Sequence, residues 1–266
     1  MLSHLTLTIP IQKPTDTIKV YALDRLPEPS PDFARVQKRA KEELGTSLTY
    51  HRIDVRDVPQ LNQIVESVAT KHGRMDGLIA AAGIQQETPA IDYTAEDANL
   101  MFSVNVTGVF MTAQAVARQM IRFGNGGSVV LIASMSGTVA NKVSFQSSSS
   151  LSIMISLADN DQQGLICPAY NASKAAVIQL ARNLASEWGE HNIRVNTISP
   201  GYIYTAMTKG LFEEFPERKV NWPKDNMLNR VSYPEEYRGA GVFLVSDASS
   251  FMTGSDLRID GGHCAW

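Results

Sequence analysis

Tyr170 and Lys174 lie four residues apart in PAYNASKAA (168–176), a spacing that puts two side chains on one face of a helix. Pro168, just ahead of them, suits a first helical position. A phenol with a pKa of about 10 is a poor acid or base at neutral pH, but a neighbouring ammonium favours its ionised form. Such a pair can exchange a proton with an alcohol or carbonyl oxygen while a hydride moves at the adjacent carbon. Alone the spacing is weak, because ordinary surface helices carry many such pairs.

The elements that must hold this pair alternate along the chain. IKVYAL (18–23) is β-branched and apolar, ends at Asp24, and reads as a buried strand. Ser30-Pro31 gives an N-cap and a proline at the first helical position, opening a helix to about Leu44. SLTYHRI (47–53) is the next strand, a helix follows over about 57–72, and MDGLIAAAG (75–83) is strand and turn. One long helical region covers 94–122 and GSVVLIAS (127–134) is a strand. Then come a helix (about 169–189), the strand IRVNTIS (193–199), a helix near 234–247 and the strand SDLRID (255–260). Strands alternating with helices imply crossovers, hence an α/β fold with a doubly wound parallel sheet, in a single domain over 1–266. Ligands of such sheets sit beyond the carboxyl ends of the strands. Asp24, Asp54, Gly83, Ser136 and Pro200-Gly201 all fall there.

Composition narrows the partners. Apolar residues make up 44% and charged ones 19%, enough for a large core. A net charge of −3 leaves no basic footprint for nucleic acid or an anionic membrane. Cys167 and Cys264 belong to no CxxC pair or Cys/His cluster, so they read as free thiols in a reducing compartment, with no metal site expected. No Lys or Arg precedes Lys13, and Pro10 and Pro14 interrupt the apolar run there, so a cytosolic location is expected over export or anchoring. The expected partners are a small molecule and further copies of the chain.

From about Val20 to Gly262 the chain resembles the short-chain dehydrogenase/reductase family. Tyr170-Asn171-Ala172-Ser173-Lys174 matches its active-site signature and FSVNVTGVF its asparagine-containing helix, giving Asn105. SPGYIYTAM matches its PG turn, LRIDGG its closing strand, and Asp54 in RIDVRD its acidic residue after the third strand. The resemblance implies a Rossmann-like, NAD(P)-dependent oxidoreductase acting on a secondary alcohol or ketone. Its implied catalytic group is Ser136, Tyr170, Lys174 and Asn105. Ser136 would bond the substrate oxygen, Lys174 hold the nicotinamide ribose, and Asn105 position a water. The implied cofactor contacts are Asp24, Asp54, Val55, Ala82, Gly83, Tyr170, Lys174, Pro200, Gly201, Ile203 and Thr205. Asp24 favours NAD, since a carboxylate accepts ribose hydroxyls and repels a 2′-phosphate. Arg25 beside it keeps NADP open. The resemblance further implies a homodimer or homotetramer, and an apolar lid over 202–232 with Tyr202, Tyr204, Met207, Phe212, Phe215 and Trp222. The tail IDGGHCAW is similar to the endings of polyol dehydrogenases and ketose reductases. A sugar alcohol is thus the first substrate expected and a secondary-metabolite ketone the second.

Departures from the family pattern are equally specific. Ser136 precedes Tyr170 by 34 positions; leaving out the 21 residues of 143–163 restores the family spacing of 13, which selects Ser136 ahead of Ser134. That segment begins Val-Ser, codable as GTAAGT or GTGAGT, and ends in Gln, codable as CAG. It reads as a retained intron or as a substrate-covering loop, loops of this length being uncommon in compact domains. The family's TGxxxGxG-like turn, whose glycines bring backbone up to a pyrophosphate at a helix N-terminus, is absent before IKVYALD, and residues 1–17 contain no glycine. In a sheet ordered 3-2-1-4-5-6 the first strand is central. Residues 1–17 offer no convincing candidate for it; LTLTI (5–9) alternates and is the one substitute on offer, but no first helix fits before Ile18. AAAG (80–83) stands where the family has NNAG. The readings are therefore an enzyme, a mis-spliced product of one, or a scaffold that keeps the fold.

Overall fold

In the computed structural model, residues 6–9, 18–141 and 166–266 are described; the segment 143–163 and most of 1–17 lie outside them. Among the described residues, seven strands form one sheet: β1 (Thr6–Ile9), β2 (Lys19–Asp24), β3 (Ser47–Arg52), β4 (Gly77–Ala80), β5 (Gly127–Ile132), β6 (Ile193–Pro200) and β7 (Asp256–Ile259). Their order is β3-β2-β1-β4-β5-β6-β7. β2 pairs with β3 in parallel, as do β4 through β7.

β1 is antiparallel to both neighbours. Chain length dictates this. Parallel neighbours need a crossover of about a dozen or more residues, whereas antiparallel ones close through a short turn. Residues 10–17 are too few for a crossover. LTLTI, the one substitute on offer for the missing first strand, thus takes the central slot with its direction reversed. Thr6, opposite Leu23, stands near the carboxyl ends of the parallel strands, and Ile9, opposite Gly77, at the far edge. The chain departs from β1 on the side away from Asp24 and Ala80.

The described helices are α1 (Pro31–Glu42), α2 (Val58–His72), α3 (Ala95–Phe102), α4 (Val109–Phe123), α5 (Pro168–Trp188), α6 (Ala206–Glu214), α7 (Pro216–Asn221) and α8 (Arg238–Val245). α1 begins at Pro31 as expected, although the Ser30 side chain makes no capping bond. Asp57 caps α2 by accepting from the Gln60 amide, and Gly73 ends it at φ +66°, a left-handed conformation that glycine adopts without strain. α3 and α4 are joined by a π-helical turn, Ser103–Gly108. The expected long helical region is therefore continuous but locally wound wider. By length and composition Ala95–Phe123 is apolar enough to cross a membrane; 56% of its most apolar window is buried inside the protein.

The core lies where α2, α4 and α5 cover one face of the sheet. Leu61, Val65, Val109, Val116, Val177 and Leu184 pack there on Leu78, Val129, Leu131 and Val195. Full burial of each such side chain is worth about 1.5–3 kcal/mol. Leu244 and Val245 of α8 cover Val130 and Ile198 on the opposite face. α1 buries only Ala40, and a cavity of about 800 Å³ separates it from Glu235 and Arg238. The first helix, for which the sequence leaves no room, has no counterpart among the described residues.

Candidate active site

α5 starts directly below the carboxyl edge of the sheet, so its first turns carry Tyr170 and Lys174 to that edge. The Lys174 side chain is buried, its Nζ donates to the Ile132 carbonyl at 2.9 Å, and it lies 5.6 Å from the centre of the Tyr170 ring. Gly137 makes this approach possible: a Cβ there would sit 2.7 Å from the Lys174 backbone carbon. Burial moves both groups. It lowers the Lys174 ammonium to about 8 and raises the Tyr170 phenol to about 12. The ammonium effect expected from sequence is thus outweighed by desolvation. Tyr170 is neutral at pH 7 and stands ready to give a proton.

The two serines divide. Ser134 lines the same cavity as Tyr170 and works against the rise of its phenol. Ser136, which the spacing selects, donates instead to Asn141 Oδ1 at 3.1 Å. β5 ends at Ile132, and extended Ser134 (φ −169°) continues its line toward α5, whereas Ser136 lies inside the short turn Met135–Gly137. Counting residues cannot detect that turn. Asn141, unremarked in the sequence, is buried and donates through Nδ2 to Cys167 Sγ (3.3 Å) and Asn171 Oδ1 (3.4 Å). Burial pushes the Cys167 thiol up to about 12, so it is no nucleophile.

Asn105 is fully buried in the π-helical turn. Its Oδ1 accepts from the Ile84 amide (2.8 Å) while Nδ2 donates to the Ile84 carbonyl (2.9 Å) and to Ser173 Oγ (3.0 Å). It braces the Gly83-Ile84 turn against α5. π-turns inside α-helices recur at functional sites because they redirect one side chain.

Two cavities open along this edge. One, of about 280 Å³, is lined by Gly83, Gln85, Ser134, Ser136, Tyr170, Lys174, Pro200, Gly201, Ile203, Thr205 and Trp222. The other, of about 260 Å³, is lined by Arg25, Asp54, Val55 and Ala82. The Arg56 guanidinium bonds Asp54 at 2.6 Å and holds its carboxyl below the usual range. Asp24 does not join them. It is buried, accepts from the Leu26 amide at 3.0 Å, and faces the large cavity beside α1, leaving Arg25 toward Asp54.

The aromatics of 202–232 pack as a buried cluster around helices α6 and α7, which the sequence reading does not resolve. Tyr202 stacks on Trp222 at 4.3 Å and Phe212 meets Trp222 at 5.2 Å. The Met207 side chain lies outside those described, and His263 packs edge-on against Tyr202. Arg218 fastens this cluster through two 2.8 Å bonds to Glu87, a pairing with no sequence signal.

A nicotinamide dinucleotide suits this edge at its two ends. Tyr170 and Lys174 match a ribose in the first cavity, and Asp54 and Val55 border space for an adenine in the second. Between them β1 presents neither glycine nor helix N-terminus, so the pyrophosphate finds no counterpart among the described residues.

Comparison with known proteins agrees with this geometry. A family model described as short chain dehydrogenase matches residues 15–163, and one described as Enoyl-(Acyl carrier protein) reductase matches 145–263. A short-chain dehydrogenase/reductase of Aspergillus versicolor is 38% identical over 93% of this chain and 79% of its own length. A ribulose-forming D-arabinitol 2-dehydrogenase of Candida tropicalis is 37% identical over 80% of this chain and 69% of its own. The crystal structure of a short-chain type dehydrogenase/reductase from Mycobacterium marinum superposes with a TM-score of 0.74 at 33% identity, covering 91% of this chain and 84% of that one. With Tyr170 beside buried Lys174 at the carboxyl edge of a doubly wound sheet, and these matches along nearly its whole length, the chain is a member of the short-chain dehydrogenase/reductase family, an oxidoreductase.

Proposed function

We propose that this chain interconverts a sugar alcohol and its ketose with NAD(H). The observation that carries the chemistry is a neutral Tyr170 beside buried Lys174, with Ser134 lining the same cavity. Similarity to a D-arabinitol dehydrogenase points to the substrate class. Bound nicotinamide would supply the hydride. Tyr170 gives its phenolic proton to the carbonyl oxygen, and Ser134 donates a second hydrogen bond to the same atom as negative charge builds there. Lys174 remains charged below pH about 8 and steadies the phenolate left behind. Asn105 keeps the Gly83-Ile84 turn at the cavity mouth and, on the family pattern, orders a water that returns the proton. By the same resemblance the chain works in the cytosol as a homodimer or homotetramer.

NAD is preferred over NADP because Asp24 ends β2, the position that the resemblance gives to the ribose; its side chain turns to the Leu26 amide, so it opposes a 2′-phosphate only through its charge at the strand end, which Arg25 partly offsets. Asp24→Ser raises the ratio of NADPH to NADH affinity about tenfold, equivalent to about 1.4 kcal/mol. An unchanged ratio in fluorescence titrations would remove Asp24 from cofactor choice. The substrate reading is tested by following NADH absorbance with D-ribulose: saturable consumption is expected. A folded chain that binds NADH yet reduces no ketose is not this enzyme.

A further inference from the structure

We propose that Ser136 is a specificity residue that accepts a hydrogen bond from a second substrate hydroxyl, and that Asn141 is the positioning residue that aims it. This rests on the sugar-alcohol reading above. The reacting oxygen already has two partners, Tyr170 and Ser134. Ser136 lines the same cavity and has no part in that pair.

A serine hydroxyl carries one hydrogen and two acceptor lone pairs. The hydrogen of Ser136 is committed to Asn141 Oδ1 at 3.1 Å. The Asn141 amide cannot turn over without loss. Its Nδ2 faces Asn171 Oδ1, an acceptor that also receives the Cys167 thiol at 3.2 Å. Flipped, it would set two carbonyl oxygens against each other. The chain of donors therefore runs from Ser136 to Asn141 to Cys167 and Asn171, all within the protein. What Ser136 has left for the cavity is acceptor capacity alone. Such a group bonds an O–H and is indifferent to a carbonyl, an ether or an alkyl chain.

The same cavity holds matching donors. Gln85 Nε2 and Trp222 Nε1 are buried with no hydrogen-bond partner among the described residues, and both residues line it. Buried donors left unpaired carry a free-energy cost that a polar ligand relieves. A polyol brings hydroxyls for Ser136 and oxygens for this end; an alkyl chain brings neither.

The experiment titrates the full chain with D-arabinitol and with 2-pentanol, five carbons each, following tryptophan fluorescence. Wild type is expected to bind the polyol at least about tenfold more tightly. In Ser136→Ala that preference falls about tenfold, the ordinary worth of one neutral hydrogen bond, and Asn141→Ala lowers it in the same direction. Circular dichroism verifies folding, and Asn141→Ala carries the test if Ser136→Ala does not fold. An undiminished preference in a folded variant, or no preference in wild type, overturns the inference. Turnover separates the two levels. If D-arabinitol is oxidised with an unchanged preference in Ser136→Ala, only the role of Ser136 falls. If wild type oxidises 2-pentanol and no polyol, the substrate reading falls with it.

Discussion

Tyr170→Phe is expected to lower kcat for ketose reduction by about a thousandfold, within the range that one positioned proton donor contributes. The phenyl ring keeps its place on α5 and the change removes at most one hydrogen bond, so stability changes by about 1 kcal/mol or less. A residual rate within tenfold of wild type would mean that another group supplies the proton. The pH dependence follows from burial. Reduction uses the neutral phenol, which persists to about 12, together with charged Lys174, which titrates at about 8. The reduction rate is therefore flat below about pH 8 and declines above it. Oxidation needs the phenolate and rises with pH from 7 toward 8, where loss of the lysine charge begins to oppose it. A reduction rate that climbs through pH 8 would contradict the assignment of Lys174.

Much of this was legible in the sequence because two signals agree there: short apolar runs alternating with helical periods, and polar residues at the end of each run. β2 through β7 and the helices α1 to α5 and α8 fall within a few residues of the expected spans. Tyr170, Lys174, Asn105 and the Pro200–Thr205 turn come to one edge because the topology leaves them no other place. What escaped was set by side-chain packing at short range. Whether Ser134 or Ser136 meets the phenol depends on a single turn of backbone after Ile132. The Asn141 network joins residues 26 and 30 positions apart in sequence. The shift of Tyr170 away from ionisation comes from burial, and no spacing encodes burial. Asp24 was read correctly as ending a strand, yet its side chain turns to the Leu26 amide and α1, a choice that depends on what lies beside it.

The reversed central strand leads to the second large effect. Replacing residues 1–17 by a strand, a TGxxxGxG turn and a helix is expected to raise NADH affinity about a hundredfold or more. Among the described residues the carboxyl edge has space for the two ends of a dinucleotide and no counterpart for its charged middle. β1 departs from the sheet on the far side, and residues 1–17 hold no glycine. A parallel central strand would exit at the carboxyl edge and start its helix there, turning free amides and the positive end of the helix dipole toward the pyrophosphate. Two charge-assisted bonds of about 1.5–3 kcal/mol each correspond to at least about a hundredfold. The added helix would also enter the cavity of about 800 Å³ beside α1, so the melting temperature rises with affinity. Fluorescence titration of both chains with NADH decides the matter. Weak binding by the present chain, with a large gain on replacement, means that the chemistry at Tyr170 is intact and only cofactor capture is impaired. Micromolar binding already in the present chain, with less than about threefold gain, means that other residues grip the phosphates; the reversed strand would then be no obstacle to catalysis.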